Sequence, residues 1–198
     1  SPLAVGNKAA NLMRMAEAGL PVPPGFVITT RVCRDYFDRG GSLPEDLPAW
    51  LSRDIEYLER VTDQQFGGRR RPLLVSVRSG AEMSMPGMMD TVLNLGLNDK
   101  AVDGLARLSG NERFAWDAYR RFIQLFGKVA LGISDEEFDQ PFEEIKRREG
   151  VKADVGLSAE HLREISGIFL EVVKQVTGRP FPEDVFEQLE IAIKAVFN

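Results

Sequence analysis

The chain has one cysteine, one histidine and no long apolar run, and each shortage removes chemistry. A single thiol, Cys33, cannot form an internal disulfide and fits a reducing compartment. With His161 as the only imidazole, no multi-histidine metal centre can be assembled, and Cys33 is the only thiol that could assist. His161 sits in SAEHLREISGIFLEVV, where Leu162, Ile165, Phe169 and Val172 recur at helical spacing. An exposed helix histidine is therefore favoured over a Cys–His dyad. No stretch approaches the roughly 20 apolar residues of a membrane-spanning helix. The first residues, SPLAVGNKAANL, lack the basic segment and apolar core of a secretory signal. Internal repeats and low-complexity tracts are absent too. These shortages lead us to expect a soluble cytoplasmic protein with no membrane partner.

What is present is an ordinary globular composition. The 198 residues are 43% hydrophobic and 28% charged, enough for one large domain or two small ones with a sizeable core. A net charge of −5 argues against nucleic acid as the main partner. The densest basic run, Arg69-Arg70-Arg71 after Gly67-Gly68, reads as a solvated turn between a helix and a strand rather than an anion patch.

Two textures divide the chain: residues 1–98 mix helices with short strands, and residues 99–198 are almost all helix. The first helix is expected from about Asn7 to Ala18, stopped by Gly19 and the prolines 21, 23 and 24. GFVITT (25–30) suits a short strand, and RVCRDYFDRG a helix ending at Gly40-Gly41. A longer amphipathic helix places Leu51, Ile55, Leu58 and Val61 on one stripe. PLLVSVRSG (72–80) is the strongest strand pattern, with TVLNLGL (91–97) as a second. In the second half, Ala115, Tyr119, Phe122, Phe126, Val129 and Ile133 share a helical face. Ser134 with Glu137 has capping-box spacing, Ser158 can cap the next helix, and Pro182-Glu183-Asp184 open the last. That last helix reaches Asn198 without a stop signal, the pattern of a segment cut from a longer protein or of a fraying end.

Two cations stand where phosphate ligands are expected. Lys8 follows Val5-Gly6-Asn7 in the first helical turn, where unpaired N–H groups attract an anion and glycine admits close backbone approach. A lysine there opposes the helix dipole, so a compensating anion is one reading and an exposed helix lysine the other; the motif is not a Walker loop. Arg78 ends an apolar run. A strand that delivers a guanidinium to a sheet edge matches phosphate geometry, and a salt bridge to one of 30 carboxylates matches equally. Between the strands lies GAEMSMPGMMD, with four of the six methionines. They serve either as adaptable core filling or as a soft lid hinged at Pro86-Gly87.

GNKAANLMRMAEAGLPVPPGFVITT and SVRSGAEMSMPGMMDTVLNLGLND, continued by RFAWDAYRRFIQLFGKVALGI, resemble the N-terminal nucleotide-binding domain of the pyruvate, phosphate dikinase family over essentially the whole chain. The resemblance implies an α+β fold: a partial ATP-grasp-like nucleotide-binding domain with a mostly helical second half. It implies an enzyme that interconverts ATP, pyruvate and phosphate with AMP, phosphoenolpyruvate and diphosphate, using a phosphohistidine on a separate domain. By motif position, Lys8 and Arg78 contact ATP phosphates. Gly87, Met88, Met89, Asp90 and Thr91 form the loop over them, and Arg121 of the YRRF helix also contributes. MgATP is the implied cofactor, with acidic metal ligands and the family's Gln and Arg triphosphate contacts beyond Asn198. The T-S-H phosphohistidine motif is absent and His161 does not match it. No catalytic residue is therefore expected in this stretch, which should be inactive alone. The implied partners are ATP, the second half of the grasp domain, the phosphohistidine domain and further copies of the full-length enzyme. Two alternatives remain. One is a phosphoenolpyruvate synthase-type relative, which shares the lysine and V-R-S portions but usually replaces S-M-P-G-M-M-D. The other is a structural helical module without nucleotide binding of its own.

Overall fold

A 20-residue helix, α5 (Glu112–Leu131), is the axis about which the fold is built. It starts because the Asn111 side chain accepts the Phe114 N–H, and it ends at Gly132 in the left-handed conformation (φ 69°). Its buried face carries Ala115, Tyr119, Phe122 and Phe126 as the sequence period selects; Val129 is only half-buried, and Ile133, expected on the same helical face, is buried just past the helix end because Gly132 turns the chain. The computed structural model describes residues 2–80 and 91–198. Around α5 pack α4 (Asp99–Ser109), α6 (Asp135–Arg148), α7 (Ala159–Thr177) and α8 (Val185–Phe197). Edge-to-face rings tie these layers together: Phe138 meets Phe169 at 5.0 Å, and Phe126 meets Phe181 at 5.2 Å.

The caps follow local chemistry. Asn98 accepts the N–H groups of Lys100 and Ala101, Asp184 those of Phe186 and Glu187, and Ser158 that of His161. His161 completes a capping box, its Nδ1 accepting the Ser158 N–H at 3.3 Å, with Glu149 Oε2 3.3 Å from Nε2. At α6 the expected capping box does not form: Ser134 makes no side-chain bond to the helix start.

The first half is thinner. Helices α1 (Pro2–Glu17), α2 (Thr30–Asp38) and α3 (Leu47–Thr62) precede four short strands. Helix α3 buries Leu47, Leu51, Ile55 and Leu58, whereas Val61 is exposed. Val61 lies about 80° round the helix from Leu51, off the edge of a stripe centred between Leu47 and Ile55. The apolar run at 72–78 is divided into two strands that serve different partners. Strand β2 (Pro72–Leu73) pairs in parallel with β1 (Gln65–Phe66), and β3 (Val75–Arg78) pairs antiparallel with β4 (Thr91–Leu95). Among the described residues, Arg78 therefore ends a two-stranded ribbon and not the central strand of a wide sheet. Residues 25–29 form no strand. Phe26 and Ile28 are half-buried and Val27 is exposed, so the alternation of a strand survives, but no described strand lies beside them to supply a ladder.

One hydrophobic core runs from Leu47 through the strands to Ile193, so the helix-dominated α+β chain buries its strands against its own helices. Gln188 of α8 is fully buried and fastens the end of β4. Its Oε1 accepts the Gly96 N–H at 3.1 Å, and its Nε2 donates to the carbonyls of Leu97 and Pro182, both at 2.9 Å. Among the described residues no helix is long and apolar enough to cross a membrane.

Candidate phosphate-binding site

The N-terminal helix is interrupted where the sequence has its glycine. Gly6 has φ 79° and ψ 160°, a conformation only glycine adopts readily, and the uninterrupted helical run begins just after it. Lys8 thus lies in the first turn of that run and is half-buried. The buried Gly6 is pressed against the end of β3: a Cβ built on it would strike the Gly80 carbonyl oxygen and stand 3.1 Å from the Gly80 Cα and carbonyl carbon. Lys8 and Arg78 each lie two residues from this contact, at most about 7 Å of backbone apiece. Two motifs some seventy residues apart in sequence are joined by one glycine–glycine approach.

Arg78 is exposed at the outward-facing position of β3 and its Cα pairs with Thr91, the first residue of β4. Among the described residues, no carboxylate comes within ion-pairing distance of Arg78. Arg71, by contrast, is paired with Asp63. Arg78 and Thr91 thus pair at the end of the β3–β4 ribbon from which the chain runs to the Gly6–Gly80 contact. Gly87, Met88, Met89 and Asp90, with the rest of the methionine segment from Ala81 to Asp90, lie outside the described residues.

Arg121 lies on α5, which packs on β4, and among the described residues Asp117 is its one hydrogen-bond partner. Its side chain is 60% exposed and its Nε donates to Asp117 Oδ2 at 2.9 Å. The neighbouring Arg120 is buried, donates through Nη2 to Asp117 Oδ1 at 2.5 Å, has Asp154 Oδ2 at 3.8 Å, and covers the Phe142 ring at 4.6 Å. Its Nε is buried without a hydrogen-bond partner. Burial would push the Asp117 carboxyl up, but the hydrogen bonds and charges of Arg120 and Arg121 outweigh it and hold the group below the usual carboxylate range. Asp117 was not among the residues singled out from sequence, although a carboxylate three and four positions before an arginine pair is a legible helix-face signal.

The described residues supply cations and backbone N–H groups, the chemistry that binds phosphate oxygens. Among them no group of three or more His, Cys, Asp or Glu is placed to hold a metal ion.

Comparison with known proteins gives the relatives of this chain. Residues 3–62 match the family model described as pyruvate phosphate dikinase, AMP/ATP-binding domain. The chain is 51% identical to a pyruvate, phosphate dikinase of Entamoeba histolytica over 194 residues, 98% of this chain and 22% of that protein. It is 48% identical over 98% of its length to the Rhizobium meliloti dikinase, covering 22% of it, and to a chloroplastic dikinase of Zea mays, covering 20%. The chain therefore spans about a fifth of the length of these curated relatives. Aligned with these dikinases over 98% of its length at about half identity, this chain belongs to the pyruvate, phosphate dikinase family.

Proposed function

We propose that this chain supplies one side of the ATP-phosphate site of a pyruvate, phosphate dikinase. The observation that supports the reading is the Gly6–Gly80 approach, which brings the backbone of the lysine motif against that of the arginine motif. Lys8 and Arg78 bind phosphate oxygens, Thr91 and the adjoining segment 87–90 close over them, and Arg121 adds a further cation from α5. The fold is the first part of an ATP-grasp-like domain, with residues 1–98 forming its mixed part and 99–198 a helical subdomain. ATP enters as its magnesium complex. The metal would draw charge from the phosphates, and its ligands would come from outside these residues. What the present residues do is bind and orient the triphosphate and screen its charge, the chief requirements of phosphoryl transfer.

In the whole enzyme the phosphoryl group passes from ATP to a histidine on another domain and then to pyruvate. The remaining grasp half, the phosphohistidine domain and a second copy of the enzyme are the partners, and the cytoplasm is its site of action. The names of the relatives, all dikinases, favour this reading over a synthase-type homologue or a purely structural module.

Arg78→Ala in the full-length polypeptide tests it. The substitution is expected to abolish most phosphoryl transfer from ATP while leaving the exchange between phosphoenolpyruvate and pyruvate intact. Wild-type ATP turnover in that variant would refute the assignment.

A further inference from the structure

Arg120 and Arg121 are adjacent on α5 and share one carboxylate, yet they are held very differently. Arg120 is enclosed by Asp117, Asp154 and the face of Phe142. Arg121 projects outward, and among the described residues its bond to Asp117 through Nε is the one that fixes it. A guanidinium has five N–H donors in a rigid plane, so with Nε engaged the two terminal nitrogens remain a free fork. That fork matches two phosphate oxygens. An exposed arginine ordinarily loses much rotamer freedom on binding a ligand. Here that ordering is done beforehand, because Asp117 is itself pinned by a buried arginine one turn away.

We propose that Asp117 is a positioning residue. It holds Arg121 by Nε so that both terminal nitrogens face the ATP phosphates, and Arg120 is the anchor that fixes Asp117. This rests on the proposed assignment of Arg121 to ATP phosphate binding.

The test is a double-mutant cycle in the full-length polypeptide: Asp117→Asn, Arg121→Ala and both together, with kcat and KM for ATP and the melting temperature measured for each. Asp117→Asn is expected to lower kcat/KM for ATP roughly 10- to 100-fold, the range a small misplacement of a positioning contact produces. On the Arg121→Ala background it should cost no further activity, although its effect on melting temperature persists. Losses that multiply instead would show Asp117 acting through the fold alone and overturn the proposal. If Arg121→Ala leaves kcat/KM for ATP unchanged, the phosphate assignment of Arg121 fails first and the proposal with it, a result distinct from multiplying losses. Should Asp117→Asn not fold, because Arg120 is then buried without its main partner, Arg121→Lys gives the answer with Asp117 intact. A single ammonium cannot both bind Asp117 as Nε does and offer a two-pronged fork, so its activity should fall to about that of Arg121→Ala. Wild-type kcat/KM for ATP in Arg121→Lys overturns the proposal.

Discussion

Replacing Gly6 with alanine perturbs a close backbone contact between the two phosphate motifs. At φ 79° and ψ 160° an alanine is strained by roughly 1–3 kcal/mol. Its Cβ would also overlap the Gly80 carbonyl oxygen, which is backbone and cannot rotate aside. Something must move, and α1 is the weaker side: Gly6 and Ala10 are its only buried positions among residues 4–17, whereas β3 is paired to β4 and covered by α8. The strain should therefore part α1 from β3 instead of unfolding the core. If all of it is charged to closure of the site, affinity for ATP falls about 5- to 150-fold. The assay is KM for ATP in the full-length polypeptide, alongside the melting temperature, which should shift little. Gly19→Ala is the control, since Gly19 has nearly the same φ of 77° but nothing within 4 Å of an added Cβ. It should cost about 1 kcal/mol at a helix end and leave KM alone. A Gly6→Ala enzyme with wild-type KM for ATP would refute the reasoning, and so would an equal rise in KM in both variants.

Gln188→Leu leaves the Gly96 N–H and the carbonyls of Leu97 and Pro182 without this partner, so stability should fall by about 3 kcal/mol, read as a lower denaturant midpoint. A midpoint equal to wild type would show that these groups find other partners. Because the folded state holds Asp117 below its ordinary range, this carboxylate adds stability above the unfolded pKa of about 3.9, and that stability is lost as pH falls through the lower folded value. Asp117→Asn should accordingly flatten the acid limb of the stability profile, and an unchanged limb between wild type and variant would exclude the linkage.

The division of labour between sequence and tertiary structure follows the range of the forces involved. Some helix ends were legible because caps act within four residues: Asn7 after a glycine break and Asp184 before α8 fall where local pattern puts them, whereas the helical face expected to reach Ile133 stops at Gly132. The buried face of α5 was equally legible, since burial on a helix repeats with the backbone period. Family membership was legible from motifs because they are contiguous. Pairing was not. GFVITT has the composition of a strand, but a strand exists only if another chain segment offers a ladder, and none of the described residues does. The same dependence split the 72–78 run between two partners.

The site shows the same boundary. Lys8 and Arg78 could each be named from sequence, yet each stood equally well as a surface cation. Only the tertiary fold sets the Gly6 backbone on Gly80 and pairs Arg78 with Thr91, because a contact seventy residues long is decided by which faces the core buries and not by the residues themselves. Likewise WDAYRR spells out its shared carboxylate one helical turn apart. Which arginine turns inward to Phe142 and which remains exposed was decided by the packing of α6 on α5.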